Sequence, residues 1–261
     1  MSESHQTDER IDRSPAWIVG LSEQWASTAV LEPHSHARHQ IIFARKGVIH
    51  VTTAQGSWIL PPTRALWIRS GTAHAFQAAR PVEVVILYVA PQAPGIPDWE
   101  GCAVLNVSPL VRELICACAA QSCDAQPDSP AGRLAQVLLD RLATLPQAPL
   151  ALPEPLDPRA LRVAAMVRQD LADRRTVAEL ASAAGASART VERLFATETG
   201  MSFGSWRIRH RMLAALERLA YGDSVGDVAF AVGYESASSF VAAFRQAFGT
   251  TPARYFDFPP D

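Results

Sequence analysis

Little in this sequence points to a disulfide-stapled, secreted or membrane-embedded protein. Only four of the 261 residues are cysteines, and no two of them form a Cys-x-x-Cys pair. A disulfide framework or a zinc ribbon needs regularly spaced cysteines, so buried free thiols are the expectation. The most apolar run, residues 82–90, contains Glu83 and is too short to cross a bilayer. The first ten residues are polar and have no apolar signal core, so we expect a cytoplasmic protein without a membrane partner.

Charge is distributed unevenly along the chain. The whole sequence carries a formal net charge of −2. Residues 159–254, however, contain 13 arginines, no lysine and 9 acidic residues, which gives +4 for this part and leaves −6 for the remainder. The length is sufficient for two domains, each with its own core. The asymmetry indicates a nucleic-acid-binding module joined to a domain of another kind.

The basic part ends in a pattern of two short helices around a tight turn, residues 224–249. Gly233 stands where the first helix needs a left-handed residue after its last turn, and Ser236 is the predicted N-cap of the second helix. The apolar positions at helical spacing are Val225, Val228, Ala229, Val232, Phe240, Ala243, Phe244 and Phe248. This pattern is typical of a helix-turn-helix, whose second helix lies in the DNA major groove.

A second copy of the motif lies about fifty residues upstream. The positions that repeat the later copy are Val177, Leu180, Ala181, Gly185, Ser187, Arg189, Phe195 and Gly200. The helical stretch 206–219 joins the two copies. Core packing alone produces many single matches to this motif, whereas two copies joined by one helix are much stronger support for DNA binding.

The paired motifs resemble the AraC/XylS family of bacterial transcription regulators. The resemblance covers residues 161–256 and rests on the runs Gly233-Tyr-Glu-Ser-Ala-Ser-Ser-Phe and Phe244-Arg-Gln-Ala-Phe-Gly-Thr-Thr-Pro-Ala-Arg-Tyr. One departure is Phe203, which stands where the first copy usually has the proline that Pro252 supplies in the second. The resemblance implies double-stranded DNA as a partner, and RNA polymerase is a further candidate.

The residues predicted to face DNA are those left on each recognition helix once its buried positions are removed. Arg189 and Arg193 are the best candidates for reading bases, because arginine contacts guanine with two hydrogen bonds. Glu192 is a candidate partner of cytosine, and the small hydroxyl residues suggest phosphate contacts. The full predicted set is Arg189, Thr190, Glu192, Arg193, Glu235, Ser236, Ser238, Ser239 and Arg245. On the connecting helix, Arg207, Arg209 and Arg211 are either phosphate contacts or solvated charges.

The first part of the chain predicts a small barrel or sandwich. Short β-rich segments are separated by turn signals at Gly47, Gly56, Pro61-Pro62 and Gly71. The predicted strands are 40–45, 47–53, 57–60, 65–68 and 83–89. Two apolar-faced helices, 109–120 and 131–145, follow them. The predicted fold class is therefore α+β, with a β-barrel and accessory helices followed by an all-α domain.

A histidine-rich run in this first part resembles the two cupin motifs, in which His-x-His, a later carboxylate and a distant histidine bind a metal inside a β-barrel. By position the ligands are His34, His36, Gln40 and His74, with Gln40 in place of the usual glutamate. Even spacing along a strand predicts that His34, His36 and Gln40 share one face, with His39 on the other. Imidazoles can hold Zn²⁺, Ni²⁺ or Co²⁺. The alternative is that they hydrogen-bond an organic effector without a metal.

Aromatic residues in the same region are spaced to line an effector pocket. The candidates are Phe43, Trp58, Trp67, Phe76 and Tyr88. Ordinary core packing is the alternative for each one. Because Gln40 adds no charge, an anionic effector could complete the coordination of a bound metal.

Four regions divide the sequence. A tail, residues 1–15, precedes an effector-binding and dimerisation domain, 16–145; a proline-rich linker, 146–158, leads to the DNA-binding domain, 159–261. The leucine stripe Leu134, Leu138 and Leu142, with Val137, predicts either packing on the barrel or a homodimer. We interpret the protein as a ligand- or metal-responsive transcription regulator and not an enzyme. The alternative is a cupin enzyme or metal-binding protein with a vestigial helical domain.

Overall fold

The chain divides into two compact units, Met1–Leu150 and Ala151–Asp261, in a computed structural model that describes residues 10–122, 124–145 and 151–256. The first nine residues of the predicted tail lie outside the described residues, as do Cys123 and residues 146–150 of the predicted linker. Within the described part of the tail, residues 10–13 are helical and Ile11 is buried. The predicted domain boundaries themselves stay predictions.

Two antiparallel sheets form the first unit. The strands are β1 (Ile18–Trp25), β2 (Ala29–His34), β3 (His39–Lys46), β4 (Ile49–Thr53), β5 (Gly56–Leu60), β6 (Arg64–Ile68), β7 (His74–Ala78), β8 (Val82–Val89) and β9 (Cys102–Asn106). Within this unit, the larger sheet has the strand order β1-β8-β3-β6-β9. The smaller sheet contains β5-β4-β7-β2. Trp25 of β1 meets Phe76 of β7 with ring centroids 6.0 Å apart, so the two sheets face each other. Turn signals predicted five of these strands. The sequence did not predict β1, β2 and β9, which are edge strands with weak apolar alternation, and it did not predict β7.

Two helices cover the outer face of the larger sheet: α1 (Pro109–Ala119) and α2 (Pro130–Ala143). Each starts at a serine N-cap followed by proline, which fixes the start predicted from the sequence. Leu138 and Leu142 of the predicted stripe are fully buried in the core between helix and sheet, and Leu134 packs against it. Val137 is 48% exposed. Most of the stripe is therefore a sheet-packing face, which was one of the two predicted outcomes.

The second unit is almost entirely helical. It contains the two-residue strand β10 (Ala151–Leu152) and the helices α3 (Pro158–Gln169), α4 (Val177–Ala183), α5 (Ala188–Thr199), α6 (Phe203–Ala220), α7 (Val225–Ala231), α8 (Ala237–Phe248) and α9 (Pro252–Tyr255). With a β-rich first unit and this helical second unit, the predicted α+β class is confirmed. Across the described ranges, none of the helices has the length and apolarity needed to span a membrane.

The described part of the proline-rich segment differs from the prediction, because it is held against the helical unit. The Trp206 indole donates to the carbonyl of Pro153 at 2.8 Å. The carboxylate of Glu198 accepts from the backbone N–H groups of Leu156, at 2.7 Å, and Asp157, at 3.0 Å. Proline content alone could not reveal these partners, which lie more than forty residues further along the chain.

Candidate functional site

Both helix-turn-helix motifs have the same local construction. In the first, the turn between α4 and α5 contains Gly185 at φ +69°, and in the second, the turn between α7 and α8 contains Gly233 at φ +86°. These left-handed conformations suit glycine, which has no Cβ to clash with the backbone. Ser187 and Ser236 then cap α5 and α8 by accepting the N–H groups of Thr190 and Ser239, both at 3.2 Å. The predicted turns and N-caps are confirmed in both copies.

Each recognition helix buries one face and leaves the other exposed. The buried positions are Val191, Leu194, Phe195 and Thr199 on α5 and Phe240 and Phe244 on α8. Phe195 packs against the rings of Phe203 and Trp206 on α6, each with a centroid distance of 5.2 Å. The connecting helix therefore belongs to the core that orients α5.

The predicted DNA-facing residues of α5 fall into two groups. Arg189 and Arg193 are exposed. The Thr190 hydroxyl lies 2.9 Å from that of Ser187 and takes part in the N-cap. Glu192 is half-buried, and its carboxylate accepts the backbone N–H of Phe203 at 3.2 Å. The Glu192 carboxylate thus holds the start of α6, and its contact with cytosine stays a prediction.

This contact also explains the one departure from the family pattern. A proline at position 203 would have no N–H to donate to Glu192. Phe203 supplies that N–H, and its buried ring packs on Phe195. The departure therefore exchanges a rigid helix start for a hydrogen bond and an aromatic contact.

The predicted DNA-facing residues of α8 are all exposed. Ser236 and Ser239 are tied to each other at the N-cap, with the Ser239 hydroxyl donating to the carbonyl of Ser236 at 2.9 Å. Ser238 and Arg245 line a shallow groove along α8. Glu235 forms an exposed ion pair with Arg174, at 3.1 Å. Arg174 was not singled out in the sequence because it lies outside both recognition helices.

Arginines of the connecting helix have a structural role that was not predicted. Arg207 donates to the carbonyl of Arg175 at 2.7 Å. Arg211 donates to the carbonyls of Leu171, at 2.8 Å, and Asp173, at 3.0 Å. Both side chains are half-buried rather than simply solvated, and their contact with phosphate stays a prediction. Their backbone partners lie in the segment between α3 and α4, which sequence spacing could not reveal.

The junction around Arg211 also contacts the turn of the second motif. A Cβ placed on Gly233 would lie 2.9 Å from a terminal nitrogen of Arg211 and 2.8 Å from the carbonyl oxygen of Leu171. The segment before α4 therefore packs closely on the turn between α7 and α8. Together with the Arg174–Glu235 pair, this contact fixes the first motif relative to the second.

In the first unit, three of the predicted metal ligands come together. His34, His36 and His74 each offer one ring nitrogen, and these nitrogens all lie within 4.8 Å of one another. The ring centroids of His34 and His74 are 4.5 Å apart, and those of His36 and His74 are 5.4 Å apart. The chemistry of this donor set fits a borderline divalent ion.

The route by which the histidines meet differs from the prediction. His34 ends β2 in the smaller sheet and Gln40 lies on β3 in the larger sheet, with His36 in the bend between them. The chain crosses from sheet to sheet there, so the even-offset rule for a single strand does not apply. His39 does point away from the cluster, because its ring stacks on Trp67 with a centroid distance of 4.9 Å.

The orientation of two imidazoles is fixed by backbone carbonyls. Nδ1 of His34 lies 2.7 Å from the carbonyl oxygen of Glu32, and Nδ1 of His74 lies 2.8 Å from that of Thr72. A carbonyl oxygen accepts only, so Nδ1 carries the proton and Nε2 is left with its lone pair. Burial lowers the pKa of His74 from 6.5 to about 4, despite the Thr72 contact, and the neighbouring His34 and His36 lower it further. His74 is therefore a neutral imidazole at neutral pH.

Two loops that carry the cluster are anchored by hydrogen bonds that the sequence did not indicate. Arg38 is 4% exposed and donates to the carbonyl of Ala16 at 2.9 Å. The backbone N–H of Gly71 donates to the carbonyl of His36 at 2.9 Å, which links the loop before β7 to the bend before β3. These contacts hold the bend whose course brings His36 beside His74.

The five predicted pocket aromatics come from both sheets and do not form one group. Phe76 and Tyr88 contact the histidines, with Phe76 5.0 Å from His74 and Tyr88 4.9 Å from His36. Phe43 and Trp67 lie in the core beneath α1 and α2. Trp58 is buried opposite Val51 on the smaller sheet. Strand parity explains the division, since Phe43 and Trp67 lie on the face opposite Tyr88.

Comparisons with known proteins agree with this two-unit architecture. A family model described as a helix-turn-helix domain matches residues 180–257, and one described as an AraC-like ligand binding domain matches residues 21–144. Together the two matches cover most of the β-rich unit and most of both helix-turn-helix motifs.

Several curated proteins are similar in sequence. The chain is 34% identical over 222 residues to the HTH-type transcriptional regulator NimR of Escherichia coli strain K12, a match covering 85% of this chain and 81% of that protein. It is 25% identical over 228 residues to the probable transcriptional regulator LumQ of Photobacterium leiognathi, covering 85% and 90%. It is 38% identical over 122 residues to the regulator RipA of Corynebacterium glutamicum, covering 47% and 35%.

Proposed function

The chain belongs to the AraC family of DNA-binding transcription regulators, and we propose that it occupies a two-turn DNA site under the control of a ligand held in its β-rich unit. The proposed binding to DNA rests on the pair of capped helix-turn-helix motifs, which α6 joins. Their recognition helices, α5 and α8, would enter successive major grooves about 34 Å apart. Bending of the DNA would allow both to seat.

Base reading is assigned to Arg189 and Arg193, whose exposed side chains have the donor geometry for guanine. Ser238 and Arg245 on α8 are assigned to phosphate or groove contacts. Glu235, Ser236, Ser239 and Thr190 act mainly through capping and ion pairing, and Glu192 positions α6. The intact caps, turns and cores of both motifs argue against the alternative of a vestigial helical domain.

Footprinting on genomic fragments tests this function. We expect purified full-length protein to protect two segments about one helical turn apart on one face of the DNA. Adding the effector should alter occupancy at the same segments. Equal protection of random and genomic fragments at physiological salt would contradict sequence-specific binding, since charge alone produces such a pattern.

For the β-rich unit, we propose a cupin-like site that holds Zn²⁺, Ni²⁺ or Co²⁺ through His34, His36 and His74. When bound, such an ion supplies a Lewis-acid centre for a donor atom of the effector. The site would sense a ligand and catalyse no reaction. Elemental analysis of protein purified without a histidine tag, beside a His36→Ala variant, tests this. Less than stoichiometric metal in both, after incubation with all three ions, would leave direct hydrogen bonding of an organic effector as the role of the histidines.

The proposal includes a homodimer formed through the outer face of α1 and α2. Leu110 and Val137 support it, because they are 51% and 48% exposed on these helices. The proposal also places the protein in the cytoplasm, where a regulator reaches chromosomal DNA. Once bound to DNA, the protein would contact RNA polymerase.

A further inference from the structure

Gln40 is a buried polar side chain whose hydrogen-bonding groups have no partner. It is 1% exposed, and neither its amide oxygen nor its amide nitrogen forms a hydrogen bond within the described ranges. Buried amides are almost always satisfied at both ends, because desolvating them without a partner is costly. This side chain therefore indicates a ligand that both accepts and donates hydrogen bonds.

The amide lies beside the histidine cluster. Gln40 is directly opposite Tyr88 in the β3–β8 ladder, so both side chains project from the same face of the sheet. The ring of Tyr88 meets that of His36 at 4.9 Å, and Nε2 of His74 is also buried without a partner. Tyr88 thus lies opposite Gln40 and against the histidine cluster, and Gln40 and His74 each carry a buried group without a partner.

The charge of this site determines which ligand would complete it. Over the described ranges, the potential metal-binding group comprises three histidines and contains no carboxylate or thiolate. Neutral imidazoles and a neutral amide would leave the full charge of a divalent ion uncompensated in a buried setting. Phe76 packs against His34 and His74 and restricts water on this side. An anionic ligand would offset the charge.

We propose that the site takes a small 2-hydroxycarboxylate, bound jointly by the metal and Gln40. This rests on the proposed metal site. The Gln40 NH₂ group donates to the ligand's carboxylate, and the Gln40 carbonyl accepts from the ligand's hydroxyl. The carboxylate also binds the metal, so binding of the anion depends on metal occupancy.

The experiment uses full-length protein, purified without a histidine tag and loaded with Co²⁺, whose visible absorption reports its ligands. Glycolate is the probe. Acetate lacks the hydroxyl, and ethylene glycol lacks the charge. We expect glycolate to change the Co²⁺ spectrum saturably, acetate to bind about 10-fold more weakly, and ethylene glycol to have no effect.

Two variants separate the role of Gln40 from that of the histidines. Gln40→Glu adds the missing negative charge, so it should bind Co²⁺ about 10-fold more tightly and glycolate about 10-fold more weakly. Gln40→Leu, of similar size and neutral, should keep Co²⁺ and lose glycolate by a similar factor. Circular dichroism melts verify that each variant is folded, and the three-ligand comparison on the unsubstituted protein does not depend on either variant.

The outcomes distinguish the proposed metal site from the proposed binding of an anion to that metal. If Co²⁺ binds stoichiometrically and glycolate leaves its spectrum unchanged, the anion inference is wrong and the metal site stands. If Co²⁺ does not bind, the metal proposal fails first. Calorimetric binding of glycolate to metal-free protein, equal to that of loaded protein, would overturn the dependence on metal.

Discussion

Arginines of the helical unit divide into two groups according to what their guanidinium groups contact. Arg207 and Arg211 donate to backbone carbonyls within the unit. Arg189 and Arg193 are exposed on α5. The net charge of +4 in this region therefore overstates the charge available to DNA, because some of the arginines form hydrogen bonds to the backbone of the same unit.

Arg189→Ala should weaken binding to the natural site by about 1–3 kcal/mol and relax the preference at one base pair. The reason is the loss of a bidentate contact to guanine. Fluorescence anisotropy with single-base variants of the footprinted site measures both effects. Arg80→Ala, which removes the same charge from an exposed position in the turn between β7 and β8, is the control and should leave the preference intact. An equal loss of affinity on specific and random DNA would show that Arg189 contacts phosphate only.

A buried histidine makes the helical unit sensitive to acid. Burial, with Arg168 and Arg211 nearby, lowers the pKa of His210 from 6.5 to about 4, and its ring stacks on Trp206. Between these two pH values the unfolded chain binds a proton at this residue and the folded chain does not. The free energy of unfolding therefore falls as pH drops below about 6.5, and this part of the stability is fully present above it.

His210→Gln removes that titration. We expect the variant to lose less stability than the unsubstituted protein between about pH 7 and about pH 4.5, by up to about 2–3 kcal/mol. Urea unfolding followed by tryptophan fluorescence at several pH values gives the comparison. Parallel pH dependences for the two proteins would show that His210 is not the group responsible.

At the level of elements, α6 positions both motifs. It carries Trp206, which packs on Phe195 of α5, and Arg211, which reaches the segment before α4 and the turn at Gly233. A helix that only connected the motifs would allow them to move independently. The contacts of Arg211 instead set the spacing with which α5 and α8 reach DNA.

Arg211→Met should reduce the free energy of unfolding by about 1–3 kcal/mol, because the carbonyls of Leu171 and Asp173 lose their donor. Binding to the two-turn site should weaken further than binding to either half-site alone. Denaturation and anisotropy on whole and half sites measure these effects. Arg218→Met, on the same helix but in a partly exposed ion pair with Asp223 that satisfies no backbone carbonyl, should change stability less. Equal losses on whole and half sites would contradict a positioning role for Arg211.

For the whole molecule, the oligomeric state tests whether the outer face of α1 and α2 joins two copies of the chain. Leu138 and Leu142 are buried against the protein's own sheet, so only the remaining exposed apolar side chains can join two copies. Val137→Lys should shift full-length protein from dimer to monomer in sedimentation velocity, because it places a charge in the contact. Gln77→Lys, which adds the same charge at an exposed position on β7, is the control. A monomeric unsubstituted protein at micromolar concentration would contradict the proposed dimer.

The sequence by itself determined the helical half of the protein in detail. Its caps, turns and buried faces are local features, set by residues within a few positions of one another. Ser187 and Ser236 cap the helices that they were predicted to cap. The serine and proline pairs before α1 and α2 likewise fixed where those helices start. Residue types at short spacing therefore sufficed for these elements and for the family resemblance.

Tertiary structure alone decided which polar groups remain available. Glu192 and Arg211 are ordinary surface residues by local pattern, yet each bonds a backbone group that lies eleven or about forty residues away. The histidines meet because the chain crosses between two sheets after His34, which strand parity could not anticipate. Gln40 lies on β3 between β6 and β8, and there its amide is buried without a hydrogen-bond partner in the described part of the chain. Contacts between distant segments determine which polar side chains are removed from water. A side chain that is buried in this way without a protein partner needs a ligand.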